Sequence, residues 1–196
     1  MLFKKTMLLI LILTCFCCET LYADSSYVVH DDKQAMDFAW FWYDRRNFKT
    51  AREMALVAMK LNADNVDAYN LLGLIELKDN FFNKSISYLE VGKELIKRKS
   101  LPHGDFILCK LGIAYFKNNE YEKAATVFNE AINITESWQP EFGAALSLWN
   151  LNDKKSAIKR INKCRSLGAT VNDFNNYFIE FSISGTEYLP LIKNMK

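Results

Sequence analysis

Glycine and proline are scarce in this 196-residue chain, at 7 and 3 residues. That scarcity excludes collagen-like and low-complexity classes and disfavours a turn-rich all-β domain. Neither sign of charge dominates, since 25 basic residues face 23 acidic ones, so no general attraction to nucleic acid or to an anionic membrane is expected. Half of the residues are apolar, which is typical of a globular domain or a short array of packed repeats.

Residues arranged for catalysis or metal binding are also lacking. The two histidines, His30 and His103, have no second histidine or cysteine at metal-ligand spacing. No nucleophile elbow, phosphate-binding glycine loop or dinucleotide fingerprint is present. Glu76 and Glu90 could form an acid–base pair, although solvated or ion-paired carboxylates are the commoner case. The sequence therefore predicts a protein that is not an enzyme and holds no cofactor and no metal.

The first 23 residues have the pattern of an export signal. Lys4 and Lys5 precede Met7–Cys18, a stretch of twelve residues in which only Thr14 is polar, and Ala23 supplies the small residue of a cleavage site. Twelve apolar residues are too few to cross a bilayer, which takes roughly 20. We expect residues 1–23 to be removed as a signal peptide.

Cleavage after Ala23 predicts an exported protein, either periplasmic or secreted. Two alternatives stay open: lipidation at Cys15, Cys17 or Cys18, and an uncleaved segment that anchors the chain. Contact with a membrane is expected only through such an anchor. Cleavage leaves two cysteines, which are too few for a disulfide framework, and a small buried thiol is the commoner state of each; these are Cys109 and Cys164.

Small and aromatic residues recur along the rest of the chain with one shared set of spacings. Ala51, Ser85, Ala124 and Ala157 are separated by 34, 39 and 33 residues. Apolar residues also recur at three and four positions, which predicts helices throughout. The longer spacing indicates a five-residue insertion within 98–104. Three further columns share these spacings: Ala58, Gly92, Ala131 and Cys164; Gly73, Gly112 and Ala145; and Phe48, Phe82 and Tyr121.

Each repeat has the pattern of two antiparallel helices joined by a short turn rich in Asn and Asp. Small residues such as Gly73 and Gly112 in the first helix let the second helix approach closely, while Leu89 and Phe128 fill the space beside them. One such hairpin cannot bury its own apolar face, so neighbouring hairpins are expected to stack.

This pattern resembles the tetratricopeptide repeat, a helical hairpin of about 34 residues. Two positions depart from the family pattern: Glu76, where an aromatic is usual, and Glu141, where an apolar residue is expected. The resemblance implies an all-α fold, a right-handed superhelix of about four hairpins, and the binding of a protein or peptide. The best-matching unit has Leu108, Leu111, Gly112 and Tyr115, followed by Tyr121, Ala124, Phe128 and Ala131.

Four repeats are predicted within residues 32–171, preceded by a linker at 24–31. A last helix is predicted at 172–185, because its aromatic residues share one face, and it is expected to cover the open end of the stack. Residues 186–196 are interpreted as a loosely attached tail. The predicted repeats are 32–65, 66–104, 105–137 and 138–171, and the aromatic residues of the last helix are Phe174, Tyr177, Phe178 and Phe181.

The first helices of such a stack line its concave side, and one face of each points away from its own second helix. We call the twelve residues on these faces the inner stripe. An apolar surface of this size usually marks an interaction site, and it predicts a groove for an amphipathic helix or an extended apolar segment. The alternative is that the inner stripe is core, covered by curvature of the stack, by the N-terminal segment or by the last helix. Its members are Met36, Trp40, Tyr43, Asn70, Leu74, Leu77, Cys109, Ile113, Phe116, Phe142, Leu146 and Trp149.

Two functions from different classes remain. The first is an interaction scaffold outside the cytoplasm that binds an apolar or amphipathic segment of a partner protein. The second is a carrier or transport co-receptor that binds lipid or another small hydrophobic ligand. Only Asn70 and Lys78 match a polar clamp for a partner's terminal carboxylate, so capture of a C-terminus is not expected. Self-association of the stack is left open.

Overall fold

The computed structural model describes residues 29–102 and 104–193, and every regular element in these ranges is helical. The predicted signal peptide, residues 24–28 of the predicted linker, His103 and residues 194–196 lie outside the described residues. The helices are α1 (Asp32–Asp44), α2 (Phe48–Leu61), α3 (Val66–Lys78), α4 (Phe82–Lys99), α5 (Asp105–Lys117), α6 (Tyr121–Ile132), α7 (Trp138–Asn150), α8 (Lys154–Ser166), α9 (Val171–Glu180) and α10 (Leu189–Lys193), with a 3₁₀-helix at Gly185–Tyr188.

Eight of these helices form four hairpins that pack in chain order: α1 with α2, α3 with α4, α5 with α6, and α7 with α8. Each hairpin lies within one of the predicted repeats. The predicted all-α superhelix of about four stacked hairpins is confirmed. No helix in the described part of the chain has both the length and the apolar character needed to cross a membrane.

The turns inside the four hairpins share one backbone geometry. Arg46, Asn80, Asn119 and Asn152 each have a φ of 60° to 63°, and they follow one another at the same spacings as the sequence columns. This is the left-handed region, which asparagine tolerates better than most residues. In each turn the next amide bonds back across the helix end, as in the bond from the Phe81 amide to the Glu76 carbonyl at 2.9 Å. Because the turn is the same in all four hairpins, the chain enters each second helix with the same backbone geometry.

The insertion predicted within 98–104 lengthens a helix. Helix α4 has 18 residues, whereas α2, α6 and α8 have 14, 12 and 13. It ends at Lys99, and Ser100 then takes a left-handed conformation with a φ of 49°. The extra length follows from the sequence, because no glycine or proline interrupts residues 93–101.

Close helix approach occurs where the sequence columns place small residues. Ser85 donates its hydroxyl to the Gly73 carbonyl at 2.8 Å, across the interface between α3 and α4. The ring of Phe128 in α6 lies against Gly112 of α5 and also against Gly143 of α7. A Cβ added at Gly112 would lie 2.7 Å from the ring. Phe128 is 1 % exposed, so it joins the third and fourth hairpins within the core.

Two carboxylates replace the apolar residues of the family pattern, and each is buried with an arginine. Glu76 is 4 % exposed and accepts from Arg52 Nε of the preceding hairpin at 2.8 Å. Glu141 is 5 % exposed and accepts from Arg160 at 2.7 Å. A buried carboxylate is tolerated only when its charge is paired, so each arginine is required by its partner.

We expect Gly112→Ala to lower the free energy of unfolding. The steric cost of about 1–3 kcal/mol exceeds the helix-propensity gain of up to about 1 kcal/mol, because the Phe128 ring is also held against Gly143 and cannot move away. Urea unfolding followed by circular dichroism measures the change. Gly92→Ala is the control, since its added Cβ would be crowded only by the flexible end of the Ile107 side chain at 2.9 Å and would make an ordinary contact with Tyr69 at 3.5 Å. Equal stability of the two variants would contradict this account.

We expect Arg52→Ala to destabilise the protein by about 1–3 kcal/mol, because Glu76 is left buried without its donor. Arg98→Ala is the matched control: its pair with Asp64 is 61 % and 45 % exposed, and such pairs contribute about 0–1 kcal/mol. The double variant R52M/E76F, which restores an aromatic residue, is expected to be about as stable as the native protein. The interpretation fails if Arg52→Ala costs no more than Arg98→Ala in chemical denaturation.

Candidate interaction site

The inner stripe divides into a covered part and an open part. In the third and fourth hairpins Ile113, Phe142 and Leu146 are at most 1 % exposed, and Phe116 is 7 % exposed. Half of the stripe in the first two hairpins still meets solvent, as does one residue in each of the other two hairpins. The partly exposed members are Trp40, Tyr43, Leu74, Cys109 and Trp149, whereas Met36, Asn70 and Leu77 are buried.

Helix α9 covers the stripe of the fourth hairpin. The ring of Phe174 stacks on Phe142 with centroids 4.2 Å apart and planes 11° apart. Tyr177 and Phe178 flank the same ring at 5.2 Å and 5.4 Å. Of the alternatives left open by the sequence, coverage by the last helix holds for this hairpin. The buried face of α9 is the aromatic face predicted from the spacing of its residues. It packs on the concave side of the stack, whereas the sequence predicted that it would cover the open end.

The chain beyond α9 continues across this surface and then returns to the last hairpin. Lys117 of α5 donates to the Ser182 carbonyl at 2.9 Å, and Asn150 of α7 donates to the Tyr188 hydroxyl at 2.7 Å. Leu191 and Ile192 are 1 % and 5 % exposed, in a short helix that packs against α8. The prediction of a loosely attached tail from residue 186 is therefore wrong for residues 186–192. The predicted helix at 172–185 is also too long, since α9 ends at Glu180.

Two grooves remain open on the concave side, one on each side of the end of α9. The first groove has a volume of about 360 Å³ and the second about 490 Å³. Both are bounded by Lys110, Glu180 and Phe181. The first groove is otherwise lined by Trp40, Tyr43, Leu74, Leu77, Lys78, Asn80 and Ser182. The second is otherwise lined by Asp105, Phe106, Cys109, Ile113, Thr135, Ser137, Trp138, Gln139, Asp173, Asn176 and Tyr177.

A partly buried cation lies between the two grooves. Lys110 Nζ is 5.4 Å from the centre of the Phe106 ring and makes no hydrogen bond or ion pair within residues 29–102 and 104–193. Burial lowers the pKa of Lys110, and Glu180 and Asp105 partly oppose this effect. On the other wall, burial together with Glu180 and Asp44 raises the pKa of Tyr43 to about 12. The first groove thus combines aromatic and leucine side chains with polar ones, and its lysine lies near Glu180 without forming an ion pair with it.

Each group considered for catalysis is either buried or paired within the chain. Burial raises the pKa of both Cys109 and Cys164 to about 12, so each thiol stays protonated at neutral pH. Glu90 accepts from the Tyr115 hydroxyl at 2.7 Å, whereas Glu76 is paired with Arg52, so the two carboxylates have different partners. No group of three or more potential metal ligands occurs among the residues that the structure describes.

Residues 106–138, which span α5 and α6, match the family model of the tetratricopeptide repeat. Solved structures of repeat proteins superpose on most of the chain. MamA from AMB-1 has a TM-score of 0.62 at 16% identity, covering 78% of this chain and 82% of its own. The fold is that of a tetratricopeptide-repeat protein.

Two further structures show the same fold. YrrB, a tetratricopeptide-repeat protein with an unusual peptide-binding site, has a TM-score of 0.61 at 15% identity over 85% of this chain and 80% of its own. PilF from Pseudomonas aeruginosa has a TM-score of 0.65 at 12% identity over 84% of this chain and 77% of its own. No curated protein matches the chain in sequence.

Within this tetratricopeptide-repeat stack, the two candidates for a polar clamp do not meet. Lys78 is exposed on the first groove, whereas Asn70 is 5 % exposed and lines neither groove. Six residues that line the first groove were not in the predicted stripe: Lys78, Asn80, Lys110, Glu180, Phe181 and Ser182. The sequence did single out Phe181, because its spacing places it on the aromatic face predicted for the last helix. Nothing in the spacing of Lys110 distinguishes it from a solvated lysine.

We expect Phe174→Ala to lower the free energy of unfolding by about 3–5 kcal/mol, because the fully buried ring leaves a cavity over Phe142. Ile179→Ala in the same helix is the control: that side chain is 77 % exposed, and its loss should stay within about 0.5 kcal/mol. Urea unfolding and amide hydrogen exchange of residues 171–192 report the change. If the two variants behave alike, α9 does not cover the stripe in solution.

Proposed function

We propose that this protein is a non-enzymatic interaction scaffold that acts outside the cytoplasm and binds an apolar or amphipathic segment of a partner protein in its first groove. The observation that supports this most directly is the open part of the inner stripe. Trp40 and Tyr43 pack edge to face with centroids 5.4 Å apart, and both stay partly exposed beside Leu74. Partly exposed tryptophan and tyrosine held in a fixed geometry are typical of sites that dominate binding energy.

The chain itself supplies an example of what the concave side accepts. Helix α9 is amphipathic: Phe174, Tyr177 and Phe178 are buried against the stripe, while Ile179 and Glu180 face solvent. The first groove continues the same surface over the first two hairpins. A partner helix with a similar face would meet Trp40, Tyr43 and Leu74 in place of Phe142.

The location rests on the sequence of residues 1–23, which lie outside the described residues. Cleavage of that segment would deliver the stack to the periplasm or to the exterior, and lipidation would hold it at a membrane surface. The partner segment would then belong to a protein of the same compartment.

The carrier alternative has less support from the packing. A lipid-binding cavity is enclosed and mostly apolar, but α9 fills the concave side of the fourth hairpin with its own aromatic rings. Lysine, glutamate and amide groups line both open grooves. An amphipathic protein segment can offer polar atoms to these groups, whereas a hydrocarbon chain cannot.

The experiment is site-specific photo-cross-linking in the native host. A benzophenone amino acid at position 74 is expected to capture a partner protein, and Trp40→Ala in the same chain is expected to reduce the captured fraction at least about tenfold, as the loss of a central aromatic anchor does. Mass spectrometry identifies the captured segment.

The control carries the same cross-linker at position 81. Phe81 is 53 % exposed and lies away from both concave grooves, so the products at position 74 should be missing there. Identical products from both positions, or no dependence on Trp40, would overturn the proposal. A lipid that co-purifies with the native protein and is lost with Trp40→Ala would favour the carrier instead.

A further inference from the structure

The second helix of the fourth hairpin carries an unusual concentration of positive charge. Helix α8 has six basic residues and no acidic residue among its 13 positions, although the whole chain has a formal net charge of only +2. The chain therefore has one strongly basic surface although its net charge is small. This surface belongs to a second helix, so it is separate from the inner stripe and independent of the proposed function.

Three of these cations, Lys154, Arg160 and Arg165, already interact with other groups of the chain. Lys154 donates to the Trp149 carbonyl at 2.7 Å and lies 3.8 Å from the centre of its ring. Arg160 is held by Glu141 and by Asn129, both at 2.7 Å. Lys155, Lys159 and Lys163 are four residues apart, so they form one exposed row along α8. Within the part of the chain that the structure describes, none of these three lysines makes a hydrogen bond or ion pair.

A groove of about 700 Å³ runs beside this row, with walls from α6, α7 and α8. We call it the basic groove. Glu141 lies at its floor, but its carboxylate is 5 % exposed and its charge is balanced by Arg160. Lys159 and Lys163, which are not neutralised in this way, therefore give the groove a positive charge. The lysine and amide side chains that line it are Asn129, Lys159, Asn162 and Lys163.

The repeat fold does not require these lysines. At the positions of Lys155, Lys159 and Lys163, the third hairpin has Glu122, Thr126 and Glu130, so the sign of the charge is reversed. Glu130 is paired with Lys93 at 2.8 Å and does not neutralise α8. The row is a property of the fourth hairpin alone, which indicates a role other than stabilising the stack.

We propose that the basic groove binds an extended acidic segment of a protein, with its carboxylates at Lys159 and Lys163. Carboxylates accept from lysine and amide donors alike, and the walls of the groove present both. A bilayer surface fits less well, because the donors line a recess formed by three helices and do not project from one plane. The only apolar side chain that α8 exposes is Ile158, at 36 %.

The test measures the binding of a fluorescein-labelled oligoglutamate peptide to the purified full chain by fluorescence anisotropy. We expect binding at about 0.01 M salt, where charges act over about 30 Å, and its loss at about 1 M, where they act over about 3 Å. The variant K159E/K163E is expected to bind at least about tenfold more weakly. Circular dichroism shows whether it retains the helical fold.

The matched control is K49E/K60E, which makes the same change in net charge at two exposed lysines of α2. Its dissociation constant should stay within about twofold of the native value. An equal loss in both double variants would reduce the effect to overall charge and overturn the assignment. So would the absence of peptide binding by the native chain, including the case in which vesicles of phosphatidylglycerol and phosphatidylcholine are bound instead.

Discussion

The stack depends on how closely its helices approach one another, and the ring of Phe128 sets that distance at the centre. Gly112 and Gly143 lie against the ring from two different hairpins, so one side chain fixes both the pairing within the third hairpin and its contact with the fourth. A larger residue at either glycine would move a whole helix. Because the four turns share one geometry, the inner faces of α1, α3, α5 and α7 then fall on the same side.

That arrangement creates an apolar surface which the stack cannot bury by itself. In the fourth hairpin this surface is buried by another part of the chain, because α9 places three aromatic side chains against Phe142. The first two hairpins have no such cover among the described residues, and Trp40, Tyr43 and Leu74 stay partly exposed. The candidate site is therefore the part of this surface that α9 does not cover, and Glu180, Phe181 and Ser182 lie at its edge.

Periodicity in the sequence was sufficient to predict the hairpins and the close contacts at small residues of the inner stripe's helices. It could not predict which part of the stripe is covered. The spacing of Phe174, Tyr177 and Phe178 shows which face of a helix is buried, but the surface that it meets depends on the turn at 167–170, where Gly168 has a φ of 89°. The first groove joins Trp40 to Lys110 and Phe181, and only the folded chain brings these distant segments together.

The small net charge of the whole chain gives no sign of the concentration of basic residues on α8. Every hairpin places its first helix on the concave side and its second helix on the opposite side, so the first groove and the basic groove do not compete for space. An apolar segment in one would leave the lysines of the other accessible. A chain with both sites could hold two chemically different segments at once, which a carrier of a single small ligand has no need to do. The separation of an apolar face from a basic face thus favours a scaffold over a carrier.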